Sequence, residues 1–373
     1  MGSKVRLLSR TPRVAVSNWY LVDAPNVYVE SRSKPLCDVP PMNFGNMPRD
    51  GGNLIIEADE YEDFLRDEPQ AAPFIRPLLG ADEFLKGLKR YCIWLVDADL
   101  AKLRNCPKIL DRVEKCRQMR LASKAAATRK FAATPGLFCQ ITQPEGKDYI
   151  LVPCVSSEKR EYVPIGFITA GTVVTNLVQI IPDATLYHFG ILTSRMHNAW
   201  MRAVGGRLES RYRYSKDIVY NNFVWPECGE AASCRFDKAA GSRFTTEIAA
   251  AAQAVLDARA AHPTATLADL YDPRMMPPDL VKVHAHLDAL VDRAYGLSPS
   301  CTDSGRVAHL FRMYAEKATS RTAIPKSRSP ASSSVQKEGE MKHHTDWFAA
   351  NAAHISANAV RREPIRVINK KGN

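Results

Sequence analysis

Apolar and polar positions alternate along the chain in short blocks, and the blocks predict helices mixed with short strands. Leu54-Ile55-Ile56 follows a turn signal at Asp50-Gly51-Gly52 and reads as a buried strand. Residues 57–68 are strongly acidic and predict the solvated face of a helix, and 84–96 end in a buried-strand pattern. From 104 to 130, Lys or Arg stands at 104, 108, 112, 115, 117, 120, 124, 129 and 130, against only Asp111 and Glu114. The intervening residues are good helix formers and Pro135 stops the pattern, so one long basic helix is expected. Residues 138–141, 149–152 and 162–168 are β-rich runs between Gly and Pro turns. Residues 191–204 predict a helix closed by Gly205-Gly206.

The pattern then changes. Residues 226–242 are rich in Gly, Ala and Ser and read as a linker. Three helical patterns follow: 246–261 with Thr245 as N-cap, 278–295 with Pro in its first turn and Gly296 behind it, and 306–317. Residues 319–342 are rich in Ser, Pro and Lys, a composition that favours disorder. Residues 346–361 have a short helical pattern with no face to pack on, and no internal repeat is visible. The expected class is therefore α+β, a mixed helix and short-strand domain followed by a small all-α domain and a mostly disordered tail. The expected divisions are 1–45, 46–226, a linker at 227–242, 243–318 and 319–373.

Composition narrows the partners. Lys plus Arg number 51 against 40 Asp plus Glu, a formal charge of +11, which favours a polyanion such as nucleic acid or an anionic membrane surface. No run approaches the ~18 apolar residues of a membrane span, and the basic first ten residues have no apolar stretch behind them. A cytoplasmic protein with no membrane partner is expected. The nine cysteines are scattered without a C-x2-C pair, so reduced, mostly buried thiols are expected rather than a metal knuckle.

The positive charge is most informative near Gly190–Pro226. Arg195, Arg202, Arg207, Arg211, Arg213 and Lys216 fall close together, interleaved with Tyr212, Tyr214 and Tyr220. Cations that neutralise phosphates, with aromatics that stack or hydrogen-bond, make a nucleic-acid footprint. Within it lie Glu209 and Arg211, two apart, which in an extended segment share a face. A glutamate can accept from cytosine N4 and an arginine can clamp guanine O6 and N7, so the pair suits one C·G base pair. The same spacing also suits a plain surface ion pair.

The wording of this stretch is specific. Tyr187-His188-Phe189-Gly190-Ile191-Leu192-Thr193-Ser194, Met196-His197-Asn198-Ala199-Trp200, Gly206-Arg207-Leu208-Glu209-Ser210-Arg211-Tyr212-Arg213-Tyr214-Ser215 and Ile218-Val219-Tyr220-Asn221-Asn222-Phe223-Val224-Trp225-Pro226 resemble the target-recognition domain of MmeI-like enzymes. These are fused restriction–modification proteins with an endonuclease, an adenine-N6 DNA methyltransferase, a recognition domain and a helical C-terminus. Tyr20-Leu21-Val22-Asp23-Ala24-Pro25, Ser31-Arg32-Ser33-Lys34-Pro35-Leu36 and Phe44-Gly45-Asn46-Met47-Pro48 resemble the join between methyltransferase and recognition domain. Thr266-Leu267-Ala268-Asp269-Leu270-Tyr271-Asp272-Pro273 and 287–296 resemble the helical C-terminus, so the likeness covers roughly 17–318.

The resemblance implies double-stranded DNA as partner and Glu209 and Arg211 as base-reading residues. It points to Arg120, Lys124, Arg129, Lys130, Ser156, Ser157, Arg160, Arg195, Arg207, Arg213, Tyr214 and Lys216 as contacts to the DNA backbone. The family's chemistry needs a Gly-rich loop after a strand for S-adenosylmethionine and a Pro-Pro-aromatic motif for the flipped base. Neither is read here: Pro40-Pro41 and Pro277-Pro278 precede Met42 and Asp279, and Gly205-Gly206 ends a helix. Glu145-Gly146-Lys147 has the spacing of nuclease residues but lies in a turn. No catalytic, metal or cofactor residue is therefore expected in this chain, which alone would be inactive. S-adenosylmethionine belongs to the methyltransferase half, and a separately encoded half is a further candidate partner. The alternative is a stand-alone DNA-binding protein or the relic of a truncated gene; an RNA or a membrane surface is the weaker third reading.

Overall fold

The computed structural model describes residues 28–226 and 238–322. In chain order the elements are β1 (Asn43–Phe44), β2 (Ile55–Glu57), α1 (Ala58–Asp67), β3 (Ile75–Leu79), α2 (Ala81–Lys86), β4 (Arg90–Ile93), α3 (Leu100–Leu103), α4 (Pro107–Ala122) and α5 (Ala126–Lys130). Five strands come next: β5 (Tyr149–Pro153), β6 (Val155–Ser156), β7 (Gly166–Ile168), β8 (Val173–Val174) and β9 (Val178–Pro182). They are followed by α6 (Leu186–Thr193), α7 (Arg195–Val204), β10 (Gly206–Leu208) and β11 (Arg211–Arg213). A π-helical turn (Lys216–Tyr220) precedes α8 (Lys238–Ala260), α9 (Leu267–Leu270), α10 (Pro278–Ala294) and α11 (Asp303–Thr322). This is the expected α+β class with an all-α C-terminal part. The expected helix at 346–361 and the tail beyond 322 lie outside the described residues.

Two units divide the chain. One holds Asn43–Leu151 and Phe167–Ile180. In it, β2, β4, β3 and β8 form a sheet in that order, antiparallel except for the parallel β3–β8 pair. The sheet and α4 bury Leu54, Ile56, Phe64, Leu78, Ile93, Ile109, Leu110, Val113 and Cys116. The inward side chains of α4 recur at helical spacing, which leaves Lys108, Arg112, Lys115 and Arg117 half-buried or exposed, while Arg120 is buried with the apolar residues.

The long basic helix expected over 104–130 is instead two helices. Ser123 is extended (φ −65°, ψ 136°) and ends α4, and its hydroxyl accepts from Ala125 N–H. The Arg129 guanidinium folds back onto the Ser123 and Lys124 carbonyls, which the break leaves without helical partners. Nor do residues 138–141 form a strand; Gln140 makes only a bridge to Met47. The buried Asn46 side chain takes the backbone partners there, accepting from Thr142 and Gln143 N–H and donating to the Val174 carbonyl. Gly45 before it has no alternative, since a Cβ would lie 2.1 Å from the Thr175 oxygen.

The other unit holds the described chain up to Met42, Val152–Gly166 and the residues from Ile181 onward. Residues 181–226 share it with α8, α10 and α11. The single helix expected at 191–204 is two, broken at Ser194 (φ −72°, ψ 160°). The Ser194 hydroxyl donates to the Ile191 carbonyl and accepts from His197 N–H at 3.5 Å, which makes it the N-cap of α7. A Cβ on Gly190 would stand 2.8 Å from Ile248 Cγ2, so glycine allows α6 to lie close on α8. Thr245 is inside α8 and not its N-cap: the helix starts at Lys238, within the stretch read as linker. Pro278 opens α10 as expected, and Gly296 beyond it has φ 71°.

Trp200 anchors this unit. It is fully buried among Phe223, Phe311 and Tyr314, and its Nε1 donates to the Val219 carbonyl at 3.0 Å. The 30–40 segment is stitched to the residues after the π-turn. Asn221 Nδ2 donates to the Arg32 carbonyl and Asn222 Nδ2 to that of Glu30, while Leu36 N–H donates to Asn221.

Candidate nucleic-acid interface

Residues 206–213 form a β-hairpin. Gly206 pairs with Arg213, Arg207 with Tyr212 and Leu208 with Arg211, leaving Glu209-Ser210 as a two-residue turn. Directly paired residues share a face. One face therefore carries Leu208, Arg211 and Arg213, and the other Arg207 and Tyr212. All but Tyr212 are exposed. Arg207 lies over the Tyr212 ring at 3.7 Å and donates to the Ser210 carbonyl at 3.0 Å.

Glu209 and Arg211 do not lie in one extended segment, as the sequence suggested. Glu209 occupies the first turn position at φ 57°, a region that favours glycine. Their side chains nevertheless meet: Arg211 Nη2 donates to Glu209 Oε2 at 2.8 Å, with side chains 47% and 77% exposed. Such exposure leaves the ion pair little stabilising value of its own. A charged residue held in a strained conformation for so small a return fits a task outside the folded chain.

One helix holds both feet of the hairpin. α7 runs into β10 through Gly205, whose N–H donates to the Met201 carbonyl at 2.8 Å. A Cβ on Gly205 would lie 2.4 Å from that oxygen. At the other foot, His197 of α7 bonds the Tyr214 hydroxyl at 2.9 Å, and Tyr214 N–H donates to the Cys154 carbonyl. Complete burial pushes the His197 pKa down to about 3, so this contact is made by a neutral imidazole. β11 is also paired with β6, Tyr212 opposite Ser156 and Arg213 opposite Val155.

The C-terminal helices hold α7 in turn. Asp288 of α10 accepts from the backbone N–H of Arg195 and from the Tyr162 hydroxyl, each at 2.7 Å. Burial drives the Asp288 pKa up to about 6, partly offset by these two bonds. His284, one turn earlier, stacks on Tyr162 at 4.2 Å and bonds the Tyr271 hydroxyl. Arg259 donates to that hydroxyl and to the Ile165 carbonyl. Nearby, Arg306 forms a fully buried pair with Asp292. Sequence reasoning missed this network because its members look unremarkable singly.

Several residues expected at the DNA backbone are engaged elsewhere. Arg120 is fully buried, and its guanidinium donates to the carbonyls of Pro48, Arg49, Phe131, Thr134 and Leu137. It is a staple of its unit and presents nothing to a phosphate. Ser156 and Tyr214 are buried, Ser156 in the β6–β11 ladder and Tyr214 against His197. Arg195 is held by Glu161 and Asp303, and Lys216 by Asp217. Arg207 and Arg213 stay exposed on the hairpin; in the same unit Ser157 and Arg160 are half-buried. Lys124, Arg129 and Lys130 are exposed in the other unit.

The other polar candidates are structural. His188 closes a capping box with Thr185 at the start of α6. Gly205-Gly206 joins a helix to a strand, and Pro277-Pro278 opens α10; neither has the layout of a cofactor loop. Among the described residues no cluster of His, Cys, Asp or Glu could hold a metal, and no helix is long and apolar enough to cross a membrane.

Comparison with known proteins adds a family to this geometry. The family model "MmeI, target recognition domain" matches residues 23–227, and "MmeI, C-terminal domain" matches 242–321. DNA methyltransferase A of Bacillus subtilis (strain 168) is 39% identical over 297 residues, which are 80% of this chain and 32% of that protein. The Type IIL restriction-modification enzyme MmeI, solved in complex with DNA, superposes with a TM-score of 0.75 at 40% identity. That match covers 81% of this chain and 39% of the enzyme, so the chain spans well under half the length of either relative.

Proposed function

Because the chain belongs to the MmeI family, through its target-recognition and C-terminal domains, we propose that it is the sequence-reading module of an adenine-N6 DNA methyltransferase. The observation that carries this reading is the exposed hairpin with Glu209 paired to Arg211 at its turn. A two-stranded ribbon fits the major groove of B-DNA. There Glu209 accepts from cytosine N4 and Arg211 donates to guanine O6 and N7, both halves of one C·G pair. Arg207 and Arg213 contact flanking phosphates, and Lys124, Arg129, Lys130, Ser157 and Arg160 supply further backbone contacts.

Methyl transfer and the S-adenosylmethionine site belong, in this proposal, to a methyltransferase half outside these residues. Two measurements test the reading. Competition among duplex DNA, RNA and anionic vesicles should favour the duplex, with affinity falling steeply as salt rises. Mixing the chain with a methyltransferase half that carries the Gly-rich loop and the Pro-Pro-aromatic motif should transfer labelled methyl groups to DNA. Preference for RNA or vesicles would overturn DNA reading. Selective DNA binding without methyl transfer would favour the stand-alone DNA-binding alternative.

A further inference from the structure

Leu208 is out of place on the hairpin. It is 43% exposed, amid charged neighbours, directly opposite Arg211. Two-residue alternation puts Arg213 and Gly206 on its face as well. Gly206 adds no side chain, and a Cβ there would meet nothing within 4 Å, so the space beside Leu208 is open. The opposite face is already occupied by Arg207 stacked on Tyr212.

An exposed leucine contributes little until something covers it, because hydrophobic stabilisation scales with the apolar area removed from water. The two arginines on this face favour a polyanion as the cover. The one apolar group on the base edges of the major groove is the thymine C5-methyl. Directly opposed side chains on a hairpin start about 5 Å apart, and bases along one strand are about 3.4 Å apart. A side chain paired with Arg211 therefore reaches the neighbouring base pair.

We infer that Leu208 is a specificity residue, reading the methyl group of a thymine in the base pair next to the one faced by Glu209 and Arg211. The inference rests on the DNA-reading proposal and extends it by one position. It assigns to the turn of one hairpin a polar contact and an apolar one, side by side.

The test uses the full chain and a duplex recovered by selection from randomised sequences. Each thymine flanking the C·G pair is replaced singly by deoxyuridine, which removes only the methyl group. One replacement should weaken wild-type binding about fourfold, the value of one buried methyl. Leu208→Ala should bind the thymine and uracil duplexes equally, and Leu208→Met should restore part of the difference. Leu208 is exposed, so both variants should keep the wild-type unfolding midpoint. The inference is overturned if no thymine lies beside the C·G pair, if no replacement matters, or if the loss persists in Leu208→Ala. Failure of the underlying proposal looks different, since the wild-type chain would then select no sequence at all.

Discussion

The backbone N–H of Arg195 donates to the Asp288 carboxylate at 2.7 Å, so a residue of the C-terminal helices closes the first turn of the helix that carries the hairpin. A carboxylate at a helix N-terminus satisfies an orphan donor and complements the helix dipole. The C-terminal part is thereby built into the recognition device rather than appended to it.

Replacing Asp288 by Ala would strand both the Arg195 N–H and the Tyr162 hydroxyl in a buried site. A loss of about 2–4 kcal/mol is expected in denaturant unfolding. The pH dependence has a definite sign. The folded-state pKa of about 6 lies above the ordinary aspartate value of 3.8, because the carboxylate is buried. Asp288 therefore contributes most below pH 4, and its contribution falls as pH rises through 6. Relative to Asp288→Asn, which does not titrate, the wild type should gain up to about 3 kcal/mol between pH 7 and pH 4. A difference independent of pH would contradict the buried carboxylate.

Arg120 should behave as a core residue. Arg120→Ala leaves five carbonyls without their donor and should cost about 3–5 kcal/mol. Arg120→Lys should recover little, because an ammonium cannot copy the planar fork. Unfolding midpoints measure both.

Salt titration separates cations that face solvent from those already paired. Arg207→Ala and Arg213→Ala should each reduce the slope of log affinity against log salt by about one. Lys216→Ala, which removes a cation already paired with Asp217, should leave the slope unchanged. Equal effects from all three would mean that the hairpin is not the contact.

Glu209 is the strained position of the turn. Glu209→Gly should be at least as stable as the wild type, since glycine accepts a φ of 57° without the ~1 kcal/mol cost that a side chain bears there. It should bind DNA with lost discrimination at one base pair. Thermal melts and binding to duplexes varied at that pair would give both numbers.

Much of the molecule was legible from residue order, and the failures have physical causes. The acidic helix α1, the strand β2 and the helix α10 follow from periodicity and turn residues. The breaks at Ser123 and Ser194 do not, because a serine fits a helix until its hydroxyl and tertiary packing turn it into a terminus or a cap. Arg120 reads from sequence as a phosphate contact on a basic helix; only the convergence of five carbonyls from distant segments makes it a core residue. Glu209 and Arg211 were legible as a pair. Their place at a turn was not, since Glu209-Ser210 is a poor hairpin signature.

The central claim is that this pair reads one base pair. Enrichment of randomised duplexes by the wild type and by the double variant Glu209→Lys, Arg211→Asp tests it directly. The account predicts a motif with C·G at one position for the wild type and another preferred base at that position alone for the variant. Recovery of the same motif by both proteins would contradict it.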